Sequence, residues 1–520
     1  MTTTAAPPER PVTRPPRAGN RSLAALRLSW RQFTAMRTAL MLLFCLALAA
    51  IPGSILPQQG LNPAAVARYA ADHPRLAPVA ARLGLFDVFA SWWFSAIYLL
   101  LALSLIGCLV PRIRLHARML VARPPRPPRR LDRLPHHVEW PAPEPPTDAL
   151  TGAAARLRRS RWRVDVDDAT SSLSAEKGHS RETGNLLFHI SLLGLLVAIA
   201  CGALFGYKGT VLVVEGDSFT NTPIAYDTLR PGRLTTASAL APFTLRLDDF
   251  RATYEEDGTP RTFAAALHWT PSPDAAERAY SLRVNHPLAV DGAKVYLLSH
   301  GFAPRFVVKD KAGVVRYDAP TPFLPVETRT YLSTGVVKVP DVAPGLPQLG
   351  FEAAFYPTVG IGPGGEVFSR FPDDLAPLVT FSTYAGDLGL DRGIPQNVYE
   401  LDKRGLTKVG DGYLAPGDTF GPLPGGATIT WAGYKEYAVL QVTHDPAKRA
   451  VLLFAVLALT GIVASLRIRR RRVWLRATGT DGGSVVALAG LARRDQAGFA
   501  PEFRRLAERL GAPPHEAGEQ

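Results

Sequence analysis

The sequence has few cysteines, and none of them lies in a motif. Only three occur among 520 residues, Cys45, Cys108 and Cys201, and each lies inside an apolar run. Because no CxxC or CxxCH pattern is present, the sequence excludes a disulfide framework, a thioredoxin-type dithiol and a zinc cluster. Any thiol redox chemistry that this chain needs must come from another protein.

Common enzyme signatures are missing as well. The sequence contains no GxSxG elbow, no HExxH helix, no GxxxxGK[ST] loop and no GxGxxG after a strand. The carboxylates between residues 207 and 446 are scattered among turns, and their spacing does not single out an acid–base pair. No hydrolase, NTPase or nicotinamide-dependent enzyme is indicated, and we predict no catalytic residue.

A net negative charge is found in only one part of the chain. The formal net charge is +14, yet the stretch from Tyr207 to Arg449 carries 23 Lys and Arg against 27 Asp and Glu, which is −4. The remaining stretches therefore carry +18. With 47% hydrophobic residues and a mean hydropathy of +0.04, this split indicates membrane topology and rules against nucleic-acid binding.

Four apolar segments are long enough to cross about 30 Å of hydrocarbon, at 38–56, 86–110, 185–206 and 447–466. Seven Arg precede the first segment, three separate the first two, and fifteen Lys and Arg lie between the second and third. Five more Arg follow the fourth segment directly, at 467 and 469–472. Because the loops on the cytoplasmic side of a membrane protein carry an excess of Lys and Arg, we predict a plasma membrane protein with both termini in the cytoplasm.

The segment 207–446 then lies outside and is predicted to be all β. Stretches at 210–216, 243–250, 293–302 and 427–434 alternate or run apolar between Gly, Pro and Asp turns, which is typical of a sandwich or barrel. The predicted fold class is thus a polytopic α-helical membrane protein with four transmembrane helices and a large extracytoplasmic all-β domain between helices three and four.

The other segments are a basic tail (1–37), a short outside loop (57–85), an inner loop (111–184) and a cytoplasmic tail (467–520). In the inner loop we predict a Pro/Arg linker at 123–147, a helix near 148–159 and two strands after it. Residues 485–510 of the tail suggest helical pieces at the inner membrane surface.

His189 is the main candidate site residue. It lies four residues after Asn185, roughly 6 Å into the third span. Placing an ionisable side chain at this depth in the bilayer costs free energy, so such a residue suggests a function. A neutral imidazole is a good axial ligand for haem iron. A stripe of small residues, Gly194, Ala198, Gly202 and Gly206, marks a close helix contact on another face of the helix. The alternative is a histidine that is hydrogen-bonded to a neighbouring span.

His444 is a weaker candidate. It precedes Asp445 and Pro446, which we predict as the N-cap and the first residue of the fourth helix. His444 is then either an exposed histidine, a contact to a partner or a second ligand. His286 and His300 lie among strand and turn signals and are interpreted as structural.

Several segments together resemble the ResB-like cytochrome c biogenesis proteins. They are residues 36–58, SWWF (91–94), GNLLFHISLLGLL (184–196), GYKG (206–209), RVNHPLAVDGAKVYLLSHGFAP (283–304), GDLGLDRGIPQNVY (386–399), the HDP at 444–446 and RRRRVW (469–474). The resemblance covers about residues 30–476, so the tail 477–520 falls outside it.

The resemblance implies a subunit of the System II machinery, at most a non-catalytic or haem-ligating subunit of a holocytochrome c synthase (haem lyase) complex. Its expected partners are a CcsA/ResC-type membrane protein with a Trp-rich segment, apocytochrome c, a thioredoxin-like thiol reductant and the lipid bilayer, but no nucleic acid. The expected cofactor is b-type haem in transit across the membrane.

The transmembrane histidine of the family falls on His189, which makes His189 the expected axial ligand of the haem iron. We expect the second ligand from the partner, because His444 is predicted near the opposite side of the bilayer. Two other functions stay open: a scaffold that stabilises the partner without binding haem, and a receptor whose β domain captures an outside ligand.

Overall fold

The computed structural model describes residues 19–60, 63–340, 346–390, 398–492 and 496–514. The chain divides into two compact units. One unit comprises Met1–Ala198 and Arg449–Gln520, and the other comprises Ile199–Lys448. The first unit contains most of the helices, whereas the second is built almost wholly of strands.

Within the described residues, four helices are long and apolar enough to span a bilayer, as predicted. They are α2 (Met36–Ile55), α5 (Trp92–Val121), α7 (Ser180–Phe205) and α8 (Lys448–Arg467), each with a window of mean hydropathy 2.2 or 2.3. The other helices of the described residues are α1 (Gly19–Phe33), α3 (Pro63–Asp72), α4 (Ala77–Arg82), α6 (Pro146–Arg159) and α9 (Gln496–Leu510). The chain is therefore a multi-pass membrane protein.

The helices differ from the predicted spans at their ends. The second span is predicted over 86–110, but α5 starts later because the Ser91 hydroxyl accepts the Phe94 N–H and caps the helix. This helix then continues through Pro111 into a basic stretch as far as Val121. Similarly, α7 begins at Ser180, five residues before the predicted start of the third span. Both helices thus carry a polar extension.

The prediction of an all-β domain between the third and fourth spans is confirmed. The described part of this β domain contains strands but no α-helix. Its strands are β4 (Tyr207–Val214), β5 (Ser218–Thr220), β6 (Thr228–Pro231), β7 (Thr244–Tyr254), β8 (Pro260–Thr270), β9 (Arg278–Arg283), β10 (Leu288–Val290), β11 (Ala293–Lys309), β12 (Val315–Pro320), β13 (Leu324–Pro325), β14 (Ser333–Val339), β15 (Gln348–Tyr356), β16 (Thr358–Ile361), β17 (Val367–Phe371), β18 (Leu378–Gly386), β19 (Leu406–Leu414), β20 (Thr419–Phe420) and β21 (Thr428–His444).

Two 17-residue strands, β11 and β21, run through the whole β domain as the centre of a seven-stranded sheet of order β10-β11-β21-β4-β6, with β12 on β11 and β20 on β21. One half of this sheet packs against the four-stranded sheet β5-β7-β8-β9 around Leu245, Val295 and Leu440. The other half packs against the sheet β13-β14-β15-β18-β19 around Phe355 and Trp431. The domain is thus a pair of sandwiches that share two strands, with the separate hairpin β16-β17 beside them.

The loop between α5 and α7 and the C-terminal tail form one domain, here called the loop-and-tail domain. Its sheet has the order β1-β23-β22-β3-β2, with β1 (His136–Ala142), β2 (Arg163–Asp167) and β3 (Ser172–Lys177) from the loop. The tail supplies the central strands β22 (Arg471–Thr480) and β23 (Gly483–Leu491). Since the tail strands lie between loop strands, neither segment completes this sheet alone.

The tail therefore differs from the helical pieces that the sequence suggests. Residues 496–510 do form helix α9, but the preceding residues form strand β23. Pairing with β1 on one side and β22 on the other satisfies the backbone of β23, so tertiary contacts override the helical preference of its Leu and Ala residues.

Buried charges join the loop to the tail. The Glu176 carboxylate is 3% exposed and lies 2.8 Å from Arg163 of the loop, 3.2 Å from Arg470 and 3.5 Å from Arg472 of the tail. Arg471, which is 2% exposed, pairs with Glu502 at 3.0 Å. Breaking such a pair by removing one partner leaves an uncompensated buried charge. Arg470, Arg471 and Arg472 thus hold the domain together, and in the sequence prediction the same arginines also indicate the inner side of the membrane.

We predict that Phe499→Ala opens the loop-and-tail domain. Phe499 is fully buried, and the Arg471 guanidinium lies 4.8 Å from its ring centre. Removing a buried phenylalanine costs about 3–5 kcal/mol. Limited proteolysis of the full-length protein should therefore cleave the tail of this variant much faster than that of the wild type. Arg504→Ala, an exposed position on the same helix, should leave the cleavage rate unchanged; equal rates in all three proteins would contradict the assignment.

Candidate functional site

His189 makes a hydrogen bond that fixes its tautomer. Its Nδ1 lies 2.7 Å from the backbone oxygen of Asn185, one turn earlier in α7. Because a carbonyl oxygen can only accept, Nδ1 carries the proton and donates it. The lone pair of a neutral ring is then on Nε2, which makes no hydrogen bond within the described part of the chain. Metal-ligating histidines commonly have this arrangement, with the second ring nitrogen held by a carbonyl group.

The position of His189 in α7 follows from the helix boundaries. It is nine residues, or about 14 Å along the axis, beyond the first residue of α7. Its ring is half-buried, and the Phe188 ring is edge-on to it at 5.1 Å. The sequence left open a hydrogen bond from His189 to a neighbouring span. In the described residues, the partner of Nδ1 instead lies in α7 itself.

Close packing against α8 fixes one face of α7. A Cβ at Gly461 of α8 would lie 2.5 Å from the backbone nitrogen of Phe188, and a Cβ at Gly184 would lie 2.8 Å from that of Ser465. Further along α7, Gly194 lies under the Phe454 ring, whose edge leaves no room for a Cβ at this position. The small residues thus let the two backbones approach, as expected for a small-residue stripe.

Helix α5 holds α7 through two polar contacts. The Tyr98 hydroxyl donates to the backbone oxygen of Leu196 at 2.5 Å, and His116 Nε2 lies 3.0 Å from the Thr183 hydroxyl. His116 is 8% exposed, so it is a buried polar contact that the sequence did not single out. Its spacing of four residues from Arg112 puts both on one face of α5.

His444 is a packed residue at the end of a strand. It is the last residue of β21, opposite Tyr207 of β4, and its ring stacks on the Tyr207 ring at 5.5 Å with an interplanar angle of 17°. It also lies over Gly292, where a Cβ would come within 3.2 Å of the ring. The interpretation as a freely exposed histidine is therefore wrong. His444 and His189 belong to different units, each with its own surroundings.

The Asp445 carboxylate caps the turn before α8. Its Oδ1 accepts the N–H of Ala447 at 3.0 Å, and the helix itself begins at Lys448. The predicted N-cap therefore acts two residues earlier than a standard cap, because Pro446 and Ala447 form a turn first.

The sequence did not indicate a buried polar cluster in the β domain. His300 is 1% exposed, its Nε2 lies 2.8 Å from the Tyr254 hydroxyl, and its ring stacks on Phe250 and Tyr331. Burial lowers the pKa of His300 to about 4, so the ring is neutral at pH 7. His300 is thus packed in the core of the β domain, where its Nδ1 is buried without a hydrogen-bond partner among the described residues. The one signal of this cluster in the sequence is the presence of aromatic residues in β7 and β11, which surround His300.

Glu436 lies in the same region of the β domain. Burial, and after it the charges of Glu215 and Asp374, raise the pKa of the Glu436 carboxyl to about 8. The folded protein therefore holds this proton far more tightly than the unfolded chain, in which a glutamate titrates near 4.3.

We predict that Glu436→Gln changes the pH dependence of stability. Between about pH 5 and pH 8 the folded wild type binds the extra proton, so its free energy of unfolding falls as the pH rises. The variant cannot lose this proton, and its stability relative to the wild type should grow over that range and stay constant above it. Chemical denaturation of both full-length proteins measures the difference, from which the contribution of His300 cancels. A pH-independent difference, or an equal effect of the exposed Glu366→Gln, would contradict the prediction.

A second prediction concerns the contact that positions His189. Gly461→Ala should push α7 and α8 apart, since its methyl group has no room, and overpacking costs about 1–3 kcal/mol. Thermal unfolding of the detergent-solubilised protein should show a lower midpoint. Gly152→Ala is the matched control, because nothing lies within 4 Å of its Cβ position in α6, and it should raise the midpoint slightly. An unchanged midpoint for Gly461→Ala would show that the helices do not pack this closely.

Comparison with known proteins matches most of the chain to one family. The model of the ResB-like family matches residues 36–504. The expectation that the tail falls outside the resemblance is therefore wrong for residues 477–504, which include the end of β22, all of β23 and the first part of α9.

Several curated relatives are named cytochrome c biogenesis protein CcsB. The relative from Synechococcus sp. (strain CC9605) is 26% identical over 92% of this chain and 95% of its own length. The one from Synechococcus sp. (strain CC9311) is 25% identical over 94% and 99%. A relative from Gloeobacter violaceus is 30% identical over 42% of this chain and 43% of its own. Together with the family match, these alignments show that the chain belongs to the ResB-like family.

Proposed function

We propose that this chain is the ResB-like subunit of a System II cytochrome c synthesis complex. In this role it helps to carry haem across the plasma membrane and to present it to apocytochrome c outside. Membership of the ResB-like family and the name of its relatives support a role in cytochrome c biogenesis. The distribution of Lys and Arg supports cytoplasmic termini and an outer β domain.

The observation that carries the haem assignment is the hydrogen bond from His189 Nδ1 to the Asn185 oxygen. It leaves Nε2 as the ligating atom without any change of tautomer. Nε2 of His189 is thus suited to bind the iron of haem as an axial ligand.

The rest of the chain positions this ligand. Close packing at Gly184 and Gly461 and the contacts from Tyr98 and His116 hold α7, so that the imidazole is presented in a fixed orientation. A multi-span partner of the CcsA/ResC type supplies the second axial ligand in this proposal. His444 is less suited, because its ring is already stacked on Tyr207.

Thioether formation needs no base from this chain. The haem supplies the vinyl groups that react, and a thioredoxin-like reductant keeps the thiols of apocytochrome c reduced. The β domain offers the surface on which apocytochrome c or the partner docks. The chain thus contributes ligation and positioning rather than acid–base catalysis.

We predict that His189→Gly abolishes the Soret absorbance contributed by this subunit, and that added imidazole restores it. The glycine leaves a space in which free imidazole can replace the lost ligand. Visible spectra of the detergent-purified complex, expressed together with its partner, make the comparison. His179→Gly, a change of the same type just before α7, should leave the spectrum unchanged.

A Soret band that persists in His189→Gly would place the haem wholly on the partner. The chain would then be a scaffold that stabilises the partner without binding haem. Loss of haem from His444→Ala but not from His189→Ala would instead identify His444, at the end of β21, as the haem ligand.

A further inference from the structure

A cavity of about 700 Å³ lies between α5, α7, α8 and the segment that leads into β22. Five arginines and one glutamate dominate its polar wall: Arg112, Arg181, Arg469, Arg470, Arg471 and Glu182. Its remaining wall includes the apolar side chains of Phe188, Ile462 and Leu466. The cavity therefore combines a strongly basic end with an apolar surface.

Among the described residues, no carboxylate forms an ion pair with Arg112 or Arg181 of this cavity. Arg471 pairs with Glu502, and Arg470 lies beside Glu176, which it shares with Arg163 and Arg472. In contrast, the side chains of Arg112 and Arg181 form no ion pair within the described ranges. Glu182 alone on the wall does not balance them. An anionic ligand in the cavity would offset this excess of positive charge.

The cavity lies on the same face of α7 as His189. Arg181 and Asn185 precede His189 by eight and four residues, which is about 12 Å and 6 Å along the axis. At about 100° per residue, the three positions fall within an arc of about 80°. Asn185 links them directly, since it lines the cavity and its backbone oxygen accepts the Nδ1–H of His189.

We infer that this cavity holds the carboxylates of the haem that His189 ligates, with the guanidinium groups of Arg112 and Arg181 as their partners. This inference rests on the proposed function and names a second point of contact with the same ligand. A planar guanidinium binds a carboxylate through two parallel hydrogen bonds, which a point charge does not match. The apolar wall suits the hydrophobic body of such a ligand, whereas free phosphate would not use it.

The test compares ferric haem with its dimethyl ester, in which both carboxylates are blocked. Each probe is titrated into the full-length protein with its partner in detergent. The wild type should bind haem about tenfold more tightly than the ester, or better, as expected for charge-assisted hydrogen bonds. The double variant Arg112→Gln, Arg181→Gln should bind both probes equally. The control Arg114→Gln, Arg118→Gln removes the same charge from exposed positions of α5 and should keep the preference.

A second double variant distinguishes the loss of the arginine contacts from misfolding. Arg112→Lys with Arg181→Lys keeps both charges but loses the bidentate geometry, so its preference for haem over the ester should be intermediate. If the glutamine or the lysine variants keep the full wild-type preference, the inference is overturned. The same holds if the Arg114 and Arg118 control loses the preference to an equal extent.

Two further outcomes separate this inference from the proposed function. If the wild type binds neither haem nor the ester, the proposed function itself fails. If His189→Gly loses the Soret band while the glutamine variants bind haem normally, the function stands and the cavity assignment falls. Native mass spectrometry that finds an anionic phospholipid lost from the glutamine variants, with unchanged haem affinity, would assign the cavity to lipid and contradict the inference.

Discussion

The close approach of α7 and α8 at Gly184 and Gly461 is the contact on which the other parts depend. Lipid tails are as apolar as leucine, so two spans gain little from the hydrophobic effect and associate through packing. A missing Cβ on both sides lets the backbones meet, and Gly194 continues the contact under the Phe454 ring. This contact fixes the rotation of α7, and with it the direction in which His189 points.

Each end of the helix pair continues into paired strands. Lys177 of β3 pairs with Arg471 of β22 in the loop-and-tail domain, and Tyr207 of β4 pairs with His444 of β21 in the β domain. The chain can therefore form both of its domains from segments that are far apart in sequence, because α7 and α8 bring their ends together.

Much of this architecture could be predicted from the sequence, because the four spans and the alternating strands reflect local composition. The role of the tail could not: β22 and β23 become strands only by pairing with the loop, and a single sequence does not contain that pairing. The candidate ligand His189 was evident from its depth in an apolar segment. The hydrogen bond to Asn185, the contact with His116 and the arginine cavity depend on three-dimensional proximity, so residue spacing alone did not show them.

In the proposed function, Nε2 of His189 is a ligand to haem iron. The most direct measurement is an electron-microscopy structure of the haem-loaded complex of this chain with its multi-span partner. We expect iron bonded to Nε2 of His189, with Nδ1 still donating to the Asn185 oxygen. Iron held only by residues of the partner, with Nε2 facing lipid, would rule out His189 as a ligand.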